Sequence, residues 1–309
     1  MTTPTLLAQG LAFPEGPVVM PDGSLVVTEI AAGCLTRIAG GKALRLANTG
    51  GGPNGAALGP DGALYVPNNG GFAWDNSAGL KPAGKAADNQ GGSIQRVDPE
   101  TGRVEVLFDR CGDVPLAAPN DLVFDRHGGF YFTDHGHRQG RKLDFGAVYY
   151  AKADGSAISE VAFPLIGPNG VGLSPDGATL YVAETSSGRL WSYPVTEPGV
   201  LGVADWPSPT GGDLVAGLPG FQRFDSVALE ADGNIAIACL RFGGIVVIAP
   251  NGAQVERIDL PDPYTTNICF GGPGLRTAFI TQSSSGQLVS LPWARAGLAL
   301  NWSHLGVTE

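Results

Sequence analysis

The sequence predicts an all-β protein built as a six-bladed β-propeller. One unit recurs six times: a polar opening residue, an alternating strand, a tight turn and a second β-rich strand. Its clearest copy runs from Asn169 through the Asp176-Gly177 turn to Val182. Asp-Gly between alternating runs favours a β-hairpin, because glycine tolerates the positive φ that the turn needs. A repeat of about 40–50 residues with several short strands is typical of propeller blades.

Length and composition agree with a single propeller domain over residues 1–309. The chain contains 47 Gly and 24 Pro, which suits short strands joined by many turns. Each blade is expected to hold four antiparallel strands. The run Thr5 to Gln9 precedes the first unit and has no blade before it. We therefore expect this N-terminal strand to complete the last blade and close the ring, which removes exposed strand edges.

The net charge of −10 argues against nucleic acid or an anionic membrane as a partner. No apolar run approaches the roughly 18 residues of a membrane span. Met1 to Gly10 lacks the basic and apolar regions of a signal peptide. The four cysteines are far apart in sequence, which favours free thiols over disulfides or a zinc site. We expect a cytoplasmic protein, monomeric or a small homo-oligomer, that acts on a small molecule.

Two insertions interrupt the repeat, one at residues 69–92 and one at residues 135–146. Each directly follows the second strand of a blade. A residue about 14 positions after an opening residue returns to the same end of the blade. Both insertions should therefore overhang the face that carries the opening residues, as functional loops commonly do. The tail 294–309 has no predicted place in the repeat.

The opening residues form the candidate site. If the first strand of each blade is innermost, these side chains converge at one end of the central channel. They offer two carboxylates and four amides but no thiolate or imidazole, and such oxygen donors suit a hard cation such as Ca²⁺. Asn and Asp could instead be ordinary turn residues, but that reading does not explain the glutamate. The six opening residues are Glu15, Asn54, Asn120, Asn169, Asp225 and Asn267.

Five motifs in order resemble those of the SMP-30/gluconolactonase/luciferin-regenerating enzyme family and span nearly the whole chain. The resemblance implies a six-bladed propeller with one divalent metal in the channel mouth. That metal is usually calcium, with Mg²⁺, Mn²⁺ or Zn²⁺ as alternatives, and its ligands correspond to Glu15, Asn120, Asn169 and Asp225. The motifs are Phe13–Pro17, Pro119–Leu122 with Phe130–Asp134, Pro168–Gly170 with Ser174–Gly177, Asp225 with Ala231–Gly233, and Thr266–Asn267 with Phe270–Gly272.

The resemblance also implies hydrolysis of lactones, and for some members of organophosphates. In the first hypothesis the metal polarises the ester carbonyl and Asp225 acts as base or nucleophile, while Asn120 and Asn169 orient metal and substrate. The alternatives are a phosphotriesterase with the same four ligands and a non-catalytic binding propeller with a structural metal. The predicted substrate contacts are Asn54, Trp74, Asp134, His135, Phe224 and Asn267.

One departure from the family pattern bears on specificity. Sugar-lactonase members often carry an arginine two residues before the third-blade asparagine, and this chain has Ala118 there. Aromatic residues of the first insertion could present apolar surface instead, which favours a less polar lactone over gluconolactone. An arginine from another loop could fill the gap. The candidates are Arg138, Arg141 and Arg223.

Overall fold

The computed structural model describes residues 3–303, and within that range the strands form six antiparallel sheets arranged as the six blades of a propeller. The first strand of each sheet contacts the first strands of the two neighbouring sheets, so that six strands surround a central channel. This confirms the predicted fold class and the innermost position of the strands that carry the opening residues. We call the end with the opening residues the mouth of the channel, and the opposite end its base.

In each of blades 1 to 3 the first strand is innermost, and the next three strands lie progressively farther from the channel. Blade 2 differs from the others because its innermost strand pairs over only two residues, next to an isolated bridge between Pro53 and Asn68. Blade 1 has strands Pro14–Val19, Leu25–Glu29, Cys34–Ala39 and Lys42–Asn48; blade 2 has Ala57–Leu58, Leu64–Asn68, Ser93–Val97 and Val104–Phe108; blade 3 has Pro119–Phe124, Gly129–Asp134, Gly146–Lys152 and Ile158–Leu165.

Blades 4 to 6 complete the circle. Blade 4 has a fifth, short strand, Val200–Leu201, which pairs with the extended third strand. Blade 4 has strands Pro168–Leu173, Thr179–Glu184, Arg189–Glu197 and Asp213–Gly217; blade 5 has Arg223–Leu229, Ile235–Leu240, Gly244–Ile248 and Gln254–Asp259; blade 6 has Thr265–Gly271, Thr277–Gln282, Gln287–Pro292 and Thr5–Gln9.

The ring closes as predicted. Thr5–Gln9 pairs antiparallel with Gln287–Pro292 and becomes the outermost strand of blade 6. Blade 6 therefore combines one strand that precedes blade 1 in the sequence with three strands that follow blade 5. This pairing joins the first blade to the last. Because this strand covers the edge that blade 6 would otherwise expose, closure removes a site for unwanted strand pairing.

The core lies between adjacent blades as well as within them. Between blades 2 and 3, Tyr65 packs edge-on against Phe124 with ring centroids 5.0 Å apart. Phe130 contacts both rings, at 5.6 Å from Tyr65 and 5.1 Å from Phe124. All three side chains are buried. Because each inter-blade space is filled in this way by large side chains, the innermost strands are held in fixed positions around the channel.

Both insertions contain short hairpins. Residues 69–92 form the pair Phe72–Asp75 and Lys81–Lys85, and residues 135–146 form the pair Arg138–Gln139 and Lys142–Leu143. A third pair, Arg110–Cys111 with Val114–Pro115, lies between blades 2 and 3. The two insertion hairpins contact each other, as predicted for loops that overhang the same face.

The tail, for which the repeat predicts no place, crosses the base of the channel as far as residue 303. Gly297 forms a bridge with Glu230, and Leu298 N donates to Leu229 O at 2.8 Å. Asn301 Nδ2 donates to a blade 3 carbonyl at 3.0 Å. Leu298 and Leu300 then border an apolar cavity of about 100 Å³ inside the channel. The tail therefore covers the base, while residues 304–309 lie outside the described range.

Within residues 3–303, helical structure is limited to two 3₁₀ turns, Ile30–Ala32 and Pro273–Leu275. Among the described residues, no helix is long and apolar enough to cross a membrane. The four cysteines Cys34, Cys111, Cys239 and Cys269 are free thiols.

Candidate metal centre

Breaks in strand register occur where the opening residues lie. Five of the six innermost strands show a register shift at or beside the opening residue. Such a β-bulge leaves residues unpaired and re-aims their side chains. All six opening side chains are consequently buried at the mouth of the channel. The shifts lie between Glu15 and Val18, Pro119 and Leu122, Pro168 and Val171, Phe224 and Val227, and Thr265 and Asn267.

Glycine after an opening residue allows the innermost strands to approach one another closely. A Cβ at Gly16 would lie 2.6 Å from Asn54 O in the next blade, and one at Gly170 would lie 2.7 Å from Asp225 O. Neither distance is possible for a side chain. The Glu-Gly and Asn-Gly pairs in the sequence therefore reflect the narrow channel as well as the chemistry of the opening residue.

Threonines on the second strands fix the opening residues of the following blade. Thr28 Oγ1 of blade 1 donates to Asn54 O of blade 2 at 2.5 Å. In the same way, Thr133 Oγ1 of blade 3 donates to Asn169 O of blade 4 at 2.6 Å. Both hydroxyls are buried. These contacts hold the backbone at the mouth, so that the side chains of the opening residues start from fixed positions.

Hydrogen bonds connect opening residues from different blades. Asn267 Nδ2 donates to Glu15 Oε2 at 2.7 Å and to Ser226 Oγ at 2.9 Å. The second Asn267 amide atom, Oδ1, accepts from the backbone N of Ile268. Asn267 thus presents its donor side to Glu15 and positions that carboxylate, while its own oxygen is already bonded.

Three carboxyl groups lie close enough to influence one another. Burial raises the pKa of Asp225 well above its usual value, and the negative charge of Glu15 raises it further. Burial likewise raises the pKa of Glu15, against hydrogen bonds from Gly16 N and Asn267 that lower it. Burial and the charge of Glu15 raise the pKa of Asp121 to about 8. Full ionisation of this site therefore requires a compensating positive charge.

Two amide oxygens supply a test of whether a cation fits. Asn120 Oδ1 and Asn169 Oδ1 are buried and have no hydrogen-bond partner among the described residues. An orphaned buried acceptor is costly unless something else binds it, and a hard cation binds amide oxygens. Residues 3–303 contain no group of three or more His, Cys, Asp or Glu side chains that could hold a metal ion. The candidate centre therefore depends on its amides as much as on Glu15 and Asp225.

Asp134, predicted to contact substrate, has a different role in the structure. Its carboxylate accepts from the backbone N of Ala117 and Ala118, both at 2.7 Å, and from Gly136 N at 3.0 Å. Residues at the same place in other blades do likewise: Glu29 accepts from Ala12 N and Asn68 from Gly52 N. These side chains fix the loop before each opening residue. We therefore assign Asp134 a structural role, which is to fix the loop before Asn120.

Phe224 is also placed away from the channel. Its side chain is fully buried in the core between blades 4 and 5, beside Ala183 and Cys239. The prediction that it borders the mouth did not account for the direction of the side chain, because Phe224 pairs with Cys239 before the register shift begins and points into the core. Asn54 lies at the mouth, with its backbone N donating to Pro67 O at 2.9 Å. Contact of its amide with a ligand stays a prediction.

Trp74 and His135 lie near the mouth. The Trp74 ring is 5.1 Å from that of Phe13, directly before the Pro14-Glu15 pair. His135 is half-buried, and its Nδ1 is 3.0 Å from Gly136 O. Both positions agree with the predicted overhang of the insertions and leave contact with a bound substrate as a proposal.

Asp121 and Ser226 are part of the centre but were not predicted. Each directly follows an opening residue, so strand alternation would place both side chains on the far side from the channel. The register shifts remove that alternation locally. Their position after Asn120 and Asp225 was therefore the only signal in the sequence.

Comparison with known sequences identifies related proteins. Residues 13–284 match the sequence profile of the SMP-30/gluconolactonase/LRE-like region. A gluconolactonase of Zymomonas mobilis is 28% identical over 254 residues, covering 75% of this chain and 61% of the relative. A lactonase drp35 of Staphylococcus saprophyticus is 35% identical over 143 residues, covering 46% and 42%. These matches span less than two thirds of the relatives' own lengths.

Solved structures share the fold. A gluconolactonase from Xanthomonas campestris superposes with a TM-score of 0.73 at 23% identity, covering 93% of this chain and 88% of the other. The calcium-binding protein regucalcin from Agrobacterium tumefaciens gives a TM-score of 0.73 at 18% identity, covering 96% and 95%. At these identities the likeness concerns the fold. The profile match over most of the chain shows that the protein belongs to the SMP-30/gluconolactonase/LRE-like family.

Proposed function

We propose that the protein is a metal-dependent hydrolase that opens lactones, with one divalent cation, Ca²⁺ first among the candidates, held by Glu15, Asn120, Asn169 and Asp225. The observation that carries the proposal is the pair of buried, unpartnered amide oxygens of Asn120 and Asn169 beside two buried carboxylates. The names of the gluconolactonase and lactonase relatives support the substrate class. The calcium-binding neighbour supports the metal.

Each residue has a distinct part in this proposal. The chemistry that a bound cation supplies is polarisation of the lactone carbonyl and stabilisation of the negative charge that develops on its oxygen. Asp225 accepts a proton from the attacking water and returns it to the ring oxygen as the C–O bond breaks, or it attacks the carbonyl itself. Asn267 keeps Glu15 in place through its 2.7 Å hydrogen bond.

The metal part is tested by calorimetry and by crystallography. Protein treated with a chelator should bind Ca²⁺ with a 1:1 stoichiometry, and Asn120→Ala with Asn169→Ala should weaken binding by at least about tenfold, because two oxygen ligands are lost. A Ca²⁺-loaded crystal should show all four side chains at about 2.3–2.6 Å from one ion. An ion bound elsewhere would contradict the assignment.

The catalytic part is tested with a substrate panel. Metal-loaded protein is assayed against aliphatic lactones, aldonolactones and a phosphotriester, before and after chelation. We expect lactone hydrolysis that chelation abolishes and that Ca²⁺ restores. Hydrolysis of only the phosphotriester would select the alternative enzyme class. Turnover of no panel member by protein shown to bind Ca²⁺ would favour a binding propeller.

A further inference from the structure

The surroundings of the mouth differ from one side to the other. The first insertion leaves blade 2, passes over blade 1 and reaches blade 6, where Gly79 lies so close to Ser284 that a Cβ would be 2.5 Å from its Oγ. Trp74 of this insertion packs on Phe13 at 5.1 Å, and Phe13 packs on Tyr264 of blade 6 at 6.0 Å. Phe13 is buried and supports the other two rings, and we call the half-buried pair, Trp74 and Tyr264, the aromatic wall.

On the opposite side of the mouth the turns are short and the side chains are polar. The turn that follows the second strand of blade 4 spans only residues 185–188, and the corresponding turn of blade 5 spans residues 241–243. Neither turn contains an inserted strand pair in the part of the chain that the structure describes. Polar side chains gather on this side from three blades. They are His135, Thr185, Ser186, Gln222 and Arg223.

Arg223 is the cation of this polar side. It lies two residues before Asp225 on the same strand, directly before the register shift that begins at Phe224. The side chain is half-buried. Within residues 3–303, Arg223 takes part in none of the ion pairs. Arg138 and Arg141, the other predicted candidates, are exposed on a hairpin.

The electrostatic effects of Arg223 agree with this placement. Its positive charge lowers the pKa of Asp225, against the larger effects of burial and Glu15 that raise it. Burial lowers the pKa of His135, and Arg223 lowers it further. The guanidinium is therefore within electrostatic range of both groups. The lowered pKa of His135 favours its neutral ring, and its Nδ1 lies 3.0 Å from Gly136 O, a carbonyl that can only accept a hydrogen bond.

Unsatisfied polar atoms accompany the arginine. Thr185 Oγ1 and Gln222 Oε1 are buried and have no hydrogen-bond partner among the described residues. His135 Nε2 and Ser186 Oγ both border Gly167, at 2.9 and 3.0 Å from where its Cβ would be. Buried polar groups normally have partners, so this cluster has capacity for a polar ligand group.

We infer that the substrate is a lactone that carries a carboxylate, with Arg223 binding the carboxylate while the ring rests against the aromatic wall. This inference rests on the proposed function and names the substrate class for the same site. A half-buried guanidinium without an acidic partner suits one planar anion, which it binds with two parallel hydrogen bonds. A polyhydroxylated ring would need polar partners on all sides, whereas the aromatic wall offers mainly apolar surface.

The first experiment measures binding and does not depend on turnover. Tetrahydrofuran-2-carboxylate and its carboxamide have the shape of a lactone ring but no ester. We expect Ca²⁺-loaded protein to bind the carboxylate at least about tenfold more tightly by calorimetry, as a charge-assisted hydrogen bond predicts. Arg223→Gln should remove this preference, Arg223→Lys should keep part of it, and Arg138→Gln should keep all of it.

The second experiment measures turnover of a matched pair, 5-oxotetrahydrofuran-2-carboxylate and its carboxamide. Arg223→Gln should raise KM for the carboxylate by about 10–100-fold and change kcat by less than about threefold, because the contact is the same in ground and transition states. Carboxylate binding that depends on Arg223 without hydrolysis of either lactone would sustain Arg223 as the carboxylate-binding residue and remove the proposed function. Equal turnover of the pair, unchanged by Arg223→Gln, would remove the inference alone. A preference for gluconolactone that Arg223→Gln abolishes would also overturn it, since Arg223 would then bind hydroxyl groups.

Discussion

The two ends of the channel are built from the same six strands, yet they have opposite character. At the mouth, register shifts bring polar opening residues such as Glu15 and Asp225 into a buried cluster. At the base, the same strands pair regularly and present Val19, Leu173 and Leu229 to an apolar cavity covered by the tail. The comparison teaches that the polar candidate site lies where the alternation of the strands is broken, and that regular apolar packing lies where it is kept.

The largest expected effect is a loss of activity on substitution of a residue at the mouth. Asp225→Asn keeps an oxygen ligand but removes the base and one negative charge. We expect kcat to fall by at least about 10², or about 2.7 kcal/mol of activation free energy, while the fold is retained. Steady-state kinetics of the metal-saturated variant measure this effect.

The same variant should be more stable than the wild type when no metal is present, because it removes one of three buried carboxyl groups that oppose one another's ionisation. Chemical denaturation with a chelator present tests this sign. Asp213→Asn, on an exposed outer strand, serves as the control and should change neither quantity. Near wild-type turnover in metal-saturated Asp225→Asn would exclude Asp225 as the catalytic group.

Substitution at the base should affect stability without affecting turnover. Arg295 Nη2 binds Glu256 at 2.8 Å and its Nε binds Glu230 at 2.5 Å, and the Glu230 side chain is fully buried. Arg295→Ala leaves that carboxylate with only neutral donors, one of them Trp293 Nε1 at 2.6 Å. We expect a loss of about 2 kcal/mol in the free energy of unfolding, less than for a fully buried pair because Arg295 is partly exposed.

Urea denaturation measures this loss, with Arg257→Ala as the control. Arg257 pairs with Asp259 on the surface, where such a pair contributes about 0–1 kcal/mol. The kcat of Arg295→Ala should equal that of the wild type. A large fall in kcat without loss of stability would show that the base and the mouth are coupled. That result would contradict the independence of the two ends of the channel.

The sequence predicted the regular parts of the fold well. Strand alternation and the Asp-Gly turns located the blades, and the unpartnered run Thr5–Gln9 predicted ring closure. The tail escaped prediction because its contacts, such as Asn301 Nδ2 with Phe124 O, join residues 177 positions apart and follow no repeat. No periodic signal can report contacts that occur once.

The site was predicted only in part, because only those of its residues that follow the repeat could be identified from the sequence. The repeat identified the opening residues, since all six share one position. It could not identify Asp121, because that residue enters the centre through a register shift that alternation does not show. It also assigned Asp134 and Phe224 to substrate contact, although three backbone N–H groups occupy Asp134 and the core encloses Phe224. Position at one end of a blade was predictable, but the direction of the side chain was not.

The third prediction uses pH to distinguish the mouth from the rest of the molecule. Without metal, Asp121 has a pKa of about 8 in the folded protein against 3.8 as its ordinary value. The folded state therefore holds a proton that the unfolded state has lost, and stability falls as pH rises from about 4 to 8. We expect the Tm of chelated wild type to drop by a few degrees relative to Asp121→Asn between pH 5 and pH 8.

Comparison with Asp121→Asn isolates this contribution. His135 and His137 have lowered pKa values, so their own contribution to stability rises with pH over part of the same range, and it is common to both proteins. Differential scanning fluorimetry at both pH values, with and without Ca²⁺, gives the four Tm differences. Ca²⁺ should remove the fall, because a cation favours the ionised carboxylates. A wild-type Tm that rises relative to the variant in the chelated protein would contradict the prediction.

The smallest expected effect comes from the tail at the base. Trp302 Nε1 donates to Asp125 O at 2.9 Å, and its ring packs against the core cluster of blades 2 and 3. Trp302→Phe keeps an aromatic ring there but removes the donor. One hydrogen bond contributes about 0.5–1.5 kcal/mol, which corresponds to about 1–2 °C in Tm for a chain of this size. Calorimetric unfolding should resolve this decrease while kcat and Ca²⁺ affinity stay at wild-type values, because the register shifts that build the mouth lie at the other end of the strands. An altered Ca²⁺ affinity would mean that the tail positions the innermost strands along their full length, so that the two ends of the channel could no longer be treated as independent.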